Sequence, residues 1–199
     1  MEKQLIGIVL CGGKSSRMGT DKGMMSVNGT TWAASMAQKL EQIRVPVYFS
    51  INQSQVEAYS KIFNRDRLIV DNVNISGPLR GLISSWNRFR DSDLFVVACD
   101  MLDLQFKTLL DLYEVYHDFK TMPSKKSKEF FVYENKNHVE PMCAILTNKG
   151  LHKIARIIEK GKLSDHSMRN VLTIAGTHAI PIPDDLQIEF RNYNTPVDI

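Results

Sequence analysis

The sequence predicts an α/β fold, a doubly wound and mostly parallel sheet with helices on both faces, and three observations support it. Short apolar runs alternate with amphipathic segments over the first hundred residues. Several of these runs are continuously apolar rather than alternating, as expected of strands buried on both faces. They end where a glycine, asparagine or aspartate takes over, and strand–helix–strand repetition of this kind builds parallel crossovers.

Residues 5–10 (LIGIVL) form the first such run and meet Gly12 and Gly13 directly after Cys11. Residues 31–43 place Trp32, Met36, Leu40 and Ile43 at helical spacing. Residues 45–51 (VPVYFSI) predict a second strand, and 54–63 a helix. A short third strand spans 68–70 and stops at Asp71. A loop containing Ser76, Gly77 and Pro78 follows, then a helix from about 79 to 90. Residues 94–98 (LFVVA) predict a fourth strand, closing at Cys99 and Asp100. The second half is less regular. Helices are expected over 105–118, 148–160 and 164–174, and strands over 130–133, 142–146 and 178–182, with antiparallel pairing open for one of the first two. In an open sheet of this kind ligands bind beyond the carboxyl ends of the strands. Gly12, Asn52, Asp71 and Asp100 each follow a different predicted strand.

The composition narrows the function classes. The chain has 199 residues, 43% hydrophobic and 24% charged, as in an ordinary globular protein. A net charge of +3 is too small to predict a nucleic-acid surface. Three cysteines without metal-ligand spacing predict neither a disulfide framework nor a zinc site. The opening apolar run is shorter than a signal peptide requires, and no stretch approaches a membrane span. A cytoplasmic chain without nucleic-acid or membrane partners is expected. The five histidines form no zinc-hydrolase pattern, and nine methionines are read as core filler.

Chemistry concentrates in residues 10–22, LCGGKSSRMGTDK. Paired glycines after a strand let backbone amides approach a phosphate closely. Arg17 and Lys22 bring two cations to the same loop, where charge develops on a leaving pyrophosphate. The spacing matches neither the P-loop nor the dinucleotide fingerprint. Asp100, at the end of a buried strand, suits a hard cation held against a triphosphate, with a helix-capping role for residues 103 onward as the alternative. Asp71 reads either as a ligand or as a turn residue, and Asn52 either as a ligand or as a cap. Cys11 and Cys99 end strands that neighbour one another in a common doubly wound order. They read as buried small apolar residues or as a redox pair on the nucleotide site. Lys125, Lys126 and Lys128 read as a solvated loop face, or as an attraction for an anionic cofactor and its carrier proteins.

The segment LCGGKSSRMGTDK resembles the LxGGxSxRMGxDK signature of MobA-type molybdenum cofactor guanylyltransferases. Further blocks agree in order: Asp71 followed by GPLRGL (77–82), CDML (99–102), EPMCAI (140–145) and FRNYNTPVD (190–198). The resemblance spans nearly the whole chain. It implies a single Rossmann-like nucleotidyltransferase domain over 1–199, with a nucleotide-binding half (1–104) and an acceptor-substrate half (105–199). It implies GMP transfer from Mg-GTP to molybdopterin, with Arg17, Lys22 and Asp100 catalytic and Asp100 on Mg²⁺. Leu10, Cys11, Gly12 and Gly13 would form the nucleotide loop, and Lys22 would contact phosphate. Asn52 and Asp71 would hold the guanosine, with Gly77, Pro78 and Leu79 near the base. Asn192 and Asn194 would face the pterin or assist the metal. Cofactor-insertion proteins and molybdoenzyme chaperones are the implied further partners. A cytidylyltransferase on the same cofactor, another small-metabolite nucleotidyltransferase, and a non-catalytic nucleotide-binding adaptor in cofactor insertion are the alternatives. This chain departs from the family pattern at Cys11 for alanine, at Leu102 for proline, at Arg80 within GPLRG, and in stopping at Ile199.

Overall fold

A computed structural model describes residues 4–12, 21–122, 128–136 and 138–193. The first half contains β1 (Leu5–Leu10), β2 (Ser26–Val27), β3 (Thr30–Thr31), α1 (Trp32–Glu41), β4 (Val47–Ile51), α2 (Val56–Ser60), β5 (Leu68–Val70), α3 (Pro78–Arg88) and β6 (Asp93–Ala98). Then come α4 (Phe106–Thr121), β7 (Phe130–Asn135), β8 (His138–Leu146), α5 (Asn148–Glu159), α6 (Met168–Ile174) and β9 (Thr177–Pro181).

Seven strands form one sheet in the order β5-β4-β1-β6-β8-β7-β9. The β5, β4, β1 and β6 ladders are all parallel. Strand β8 runs antiparallel to both β6 and β7, whereas β9 pairs with β7 in parallel. The sheet is therefore mixed in its second half, where the residue pattern alone left the direction open. The period of two along β1 explains the layering. Ile6, Ile8 and Leu10 face one core with Leu82 and Trp86 of α3 and Ile154 of α5. Leu5 and Val9 face the other, with Met36 and Leu40 of α1 and Leu109 and Leu112 of α4. Helices thus cover both faces.

Local chemistry starts the helices. The Thr31 hydroxyl accepts from Ala34 N at 3.2 Å, Thr147 from Gly150 N at 3.3 Å, and Ser167 from Asn170 N at 3.2 Å. Gly77, at φ +69°, precedes Pro78 at the first turn of α3. Two features escaped the sequence reading. The helix expected over 54–63 is only the five-residue α2, preceded by a 3₁₀ turn at Gln53–Gln55. The β2–β3 pair is a small hairpin turning on Asn28 and Gly29, both at positive φ. The Asn-Gly dipeptide was its signal. Among the described residues, no helix is long and apolar enough to cross a membrane.

Candidate active site

The parallel ladders bring the ends of β5, β4, β1 and β6 side by side. Leu10 pairs with Ser50 and Ala98, and Ile51 with Val70. Just beyond, Cys11 N and Gly12 N both donate to Ser50 O, at 2.9 and 3.0 Å. Asp71 N donates to Ile51 O at 2.8 Å, and Cys99 N to Leu10 O at 3.1 Å. Gly12, Asn52, Asp71 and Asp100 therefore share one edge of the sheet, as the sequence predicts.

Two glycines let the chain close there. A Cβ on Gly12 would lie 2.4 Å from Asp71 Oδ2, and one on Gly81 would lie 2.3 Å from Ser50 Oγ. The Asp71 carboxylate is tucked between these backbones and accepts from Ser50 Oγ at 2.7 Å. Burial pushes its pKa up to about 6, against the opposing pull of the Ser50 hydroxyl and the Arg80 charge. Asp71 thus bonds across to β4 and is more than a turn residue.

Lys22 Nζ lies 2.8 Å from Asp100 Oδ2, and their side chains are only 19% and 17% exposed. The pair is sheltered yet reachable. The helix-capping alternative for Asp100 does not hold, because α4 starts at Phe106 and the Glu189 carboxylate accepts from Gln105 N at 2.9 Å. Lys22 belongs to the short 3₁₀ turn Lys22–Met24, whose first residue is capped by Asp21 accepting from Gly23 N at 3.0 Å. Tyr193 N donates to Asp100 O at 3.0 Å, which lays the C-terminal segment, with Asn192, alongside Asp100. Among the described residues, no three His, Cys, Asp or Glu side chains gather into a metal cage. A magnesium ion bound through one carboxylate, with phosphate oxygens and water completing its shell, needs no such cage. Asp100 fits that requirement.

The remaining candidates divide. The side chain of Asn52 caps its own turn, accepting from Ser54 N and Ser54 Oγ, and the capping alternative is therefore present. Gly77 and Pro78 are exposed at the mouth of α3, while the Leu79 side chain is fully buried in the core. Leu79 can offer a ligand only its backbone. Leu10 and Cys11 are likewise buried, so theirs is also a backbone role. Gly13, Arg17 and Asn194, together with Lys125 and Lys126, lie outside the described residues. Cys11 and Cys99 are free thiols, both buried. A hydrogen bond with Cys11 and burial raise the Cys99 pKa well above its usual value, which favours the reading as packed, unreactive thiols.

The sequence reading missed Asp21, Ser50, Gln55 and Tyr59. Gln55 Nε2 donates to Asp21 Oδ2 at 2.6 Å and to Cys11 O at 3.1 Å, and Tyr59 OH donates to Asp21 Oδ1 at 3.3 Å. Gln55 had a signal in the Asn-x-x-Gln spacing of residues 52–55, which marks a capping box, and Asp21 in the closing DK of the LxGGxSxRMGxDK signature; Ser50 and Tyr59 had none.

Comparison with known proteins gives the family and the fold. Residues 7–178 match the family described as the MobA-like NTP transferase domain. A protein of Thermococcus sibiricus named probable molybdenum cofactor guanylyltransferase is 31% identical over 168 residues, covering 79% of this chain and 76% of the relative. One of the same name from Aquifex aeolicus is 26% identical over 191 residues, covering 96% and 86%. The crystal structure of molybdopterin-guanine dinucleotide biosynthesis protein A from Archaeoglobus fulgidus superposes with a TM-score of 0.76 at 20% identity, covering 98% of this chain and 94% of that one. At that identity the superposition supports the fold.

Proposed function

The chain belongs to the MobA-like NTP transferase family, and from that premise we propose that it transfers GMP from Mg-GTP to molybdopterin, yielding the guanine dinucleotide cofactor and pyrophosphate. The carrying observation is the Lys22–Asp100 pair, held beside the glycine-backed Asp71 at one edge of four parallel strands. That arrangement supplies a cation for phosphate, a carboxylate for a metal and a polar seat for a nucleoside in one place.

In this reading, residues 1–104 bind the nucleotide and 105–199 the acceptor. The backbone at Gly12 lets phosphate approach, with Gly13 and Arg17 completing the loop. Asp100 would hold Mg²⁺, which when bound neutralises phosphate charge. Lys22 then pairs with the triphosphate and stabilises negative charge as pyrophosphate leaves. Asp71, ionised above about pH 6, accepts from nucleoside donors, and Asn52 and the Gly77–Pro78 loop border the base. The terminal phosphate of molybdopterin attacks the α-phosphorus. A bond forms to that oxygen and the bond to the β-phosphate breaks. The attacking oxygen is anionic near neutral pH, so alignment rather than a strong base sets the rate. Asn192, in the segment that reaches Asp100, would face the acceptor or assist the metal, a role the family resemblance extends to Asn194. Such chemistry belongs in the cytoplasm, where cofactor-insertion proteins and molybdoenzyme chaperones would receive the product.

The test is thermal melting with Mg²⁺ and each of GTP, CTP, ATP and UTP, followed by turnover with the molybdenum cofactor. At about a hundredfold excess over Kd, the correct nucleotide stabilises by about 2.7 kcal/mol. A shift with GTP and release of pyrophosphate on adding cofactor are expected. Asp100→Ala should abolish turnover while melting normally. A shift confined to CTP would transfer the chain to cytidylyl chemistry, and GTP binding without pyrophosphate release would make it a nucleotide-binding adaptor.

A further inference from the structure

We propose that Gln55 is the positioning residue for Lys22, its single buried amide fixing the turn that carries the ammonium relative to the ends of β1 and β4. The inference rests on the reading of Lys22 as the phosphate-binding cation.

Gln55 is 7% exposed, and both ends of its amide are used. Oε1 accepts from Asn52 N at 2.7 Å, at the end of β4. Nε2 donates to Cys11 O, at the end of β1, and to Asp21 Oδ2. Asp21 in turn receives Gly23 N and Tyr59 OH on its other oxygen. The Lys22–Met24 turn is pressed close against Tyr59: a Cβ on Gly23 would lie 2.1 Å from the Tyr59 hydroxyl, and Tyr59 itself is fully buried. One rigid cluster thus sets where the backbone of Lys22 sits, and Lys22 Nζ then meets Asp100 across the site. A charged group placed in this way needs little reorganisation when phosphate arrives.

A capping box explains only the Oε1 end of the amide, since glutamate serves that role as well as glutamine. The Nε2 end, which reaches a different strand and a different turn, has no part in the cap. Gln55→Glu therefore separates the two roles. It keeps the acceptor for Asn52 N, removes the donor to Cys11 O, and sets a second carboxylate oxygen against Asp21.

The test compares the full chain with its Gln55→Glu variant in two measurements. In the ligand-free proteins, amide hydrogen exchange is read at Gly23 and Met24 against Ser54 and residue 55. We expect the first two amides to exchange at least about tenfold faster and the second two to be unchanged. No change at 23 and 24, or equal acceleration of both sets, overturns the proposal. Gln55→Met, which removes the Nε2 donor without adding charge and leaves the Asp21 bond to Gly23 N in place, should accelerate the same two amides and serves if the first variant does not fold; no change there overturns the proposal. With Mg-GTP, Gln55→Glu should lose at least about tenfold in kcat/KM, yet less than about twofold when added to Lys22→Ala. Losses that multiply would mean that Gln55 does not act through Lys22. Should the wild-type chain neither bind nor turn over GTP, the functional reading fails by itself, and the exchange measurement still decides the placement of the turn.

Discussion

Asp71 shows how one residue here trades stability for a site. Its carboxyl is raised from 3.8 to about 6, first by burial, with the Ser50 hydroxyl and Arg80 opposing. A raised acid binds its proton more tightly folded than unfolded, so stability falls as pH rises from about 4 to 6 and is level above. Because the carboxyl is partly open to water, the loss is held to about 1–2 kcal/mol. Asp71→Asn should therefore be more stable than the native chain at pH 8 and equal to it at pH 3.5, as denaturant midpoints at the two pH values will show. On the proposed function it should also bind GTP more weakly at pH 8, and native GTP affinity should itself fall below about pH 6 as the carboxylate takes up its proton. The position of Asp71 was legible, because an acidic residue ended an apolar run. Its bond to Ser50 was not: the two are 21 residues apart, and only the β4–β5 ladder brings them together.

At the scale of elements, α3 packs closely against the strands that carry the site. Gly81 sits on its buried face, where a Cβ would meet Ser50 Oγ at 2.3 Å and Leu10 Cδ2 at 3.1 Å. This close approach seats α3 against β1 and β4 and keeps Ser50 directed at Asp71. Gly81→Ala would gain helix propensity but must push the helix outward. A net loss of about 1–3 kcal/mol is expected, visible as a lower melting temperature. The helix itself was expected from about 79 to 90, after a loop holding Ser76, Gly77 and Pro78; it begins at Pro78 and ends at Arg88. The requirement for glycine at 81 came from the resemblance of GPLRGL, with no local pattern to explain it. The lengths of α2 and α6 were overestimated, since spacing marks a helical face better than it marks the ends.

Across the molecule as a whole, the C-terminal segment ties the start of α4 to Asp100. Glu189 is buried and accepts from Gln105 N at 2.9 Å and Thr108 Oγ1 at 2.6 Å, so it anchors the start of α4. Three residues on, the chain reaches Asn192 and then the Tyr193 N contact with Asp100 O. Glu189→Ala leaves two donors without their acceptor and should cost about 2–3 kcal/mol in chemical denaturation. Because the same segment reaches Asp100, turnover should fall as well, even where the variant is fully folded.

The order of residues was enough to establish the alternation of strands and helices, the continuous apolar runs, and the placement of Gly12, Asn52, Asp71 and Asp100 after strand ends. Its motif blocks were enough to establish the family. These are properties of local pattern: the periodicity of burial and the chemistry of turns are written over a few residues. The rest was settled by tertiary packing. Packing set β8 antiparallel between β6 and β7, and joined Gln55 to Asp21 and Cys11. It also closed the Lys22–Asp100 pair across 78 residues of chain. Each of these depends on which strands become neighbours and in what register, and those choices are fixed by burying both sheet faces at once rather than by any local run of residues.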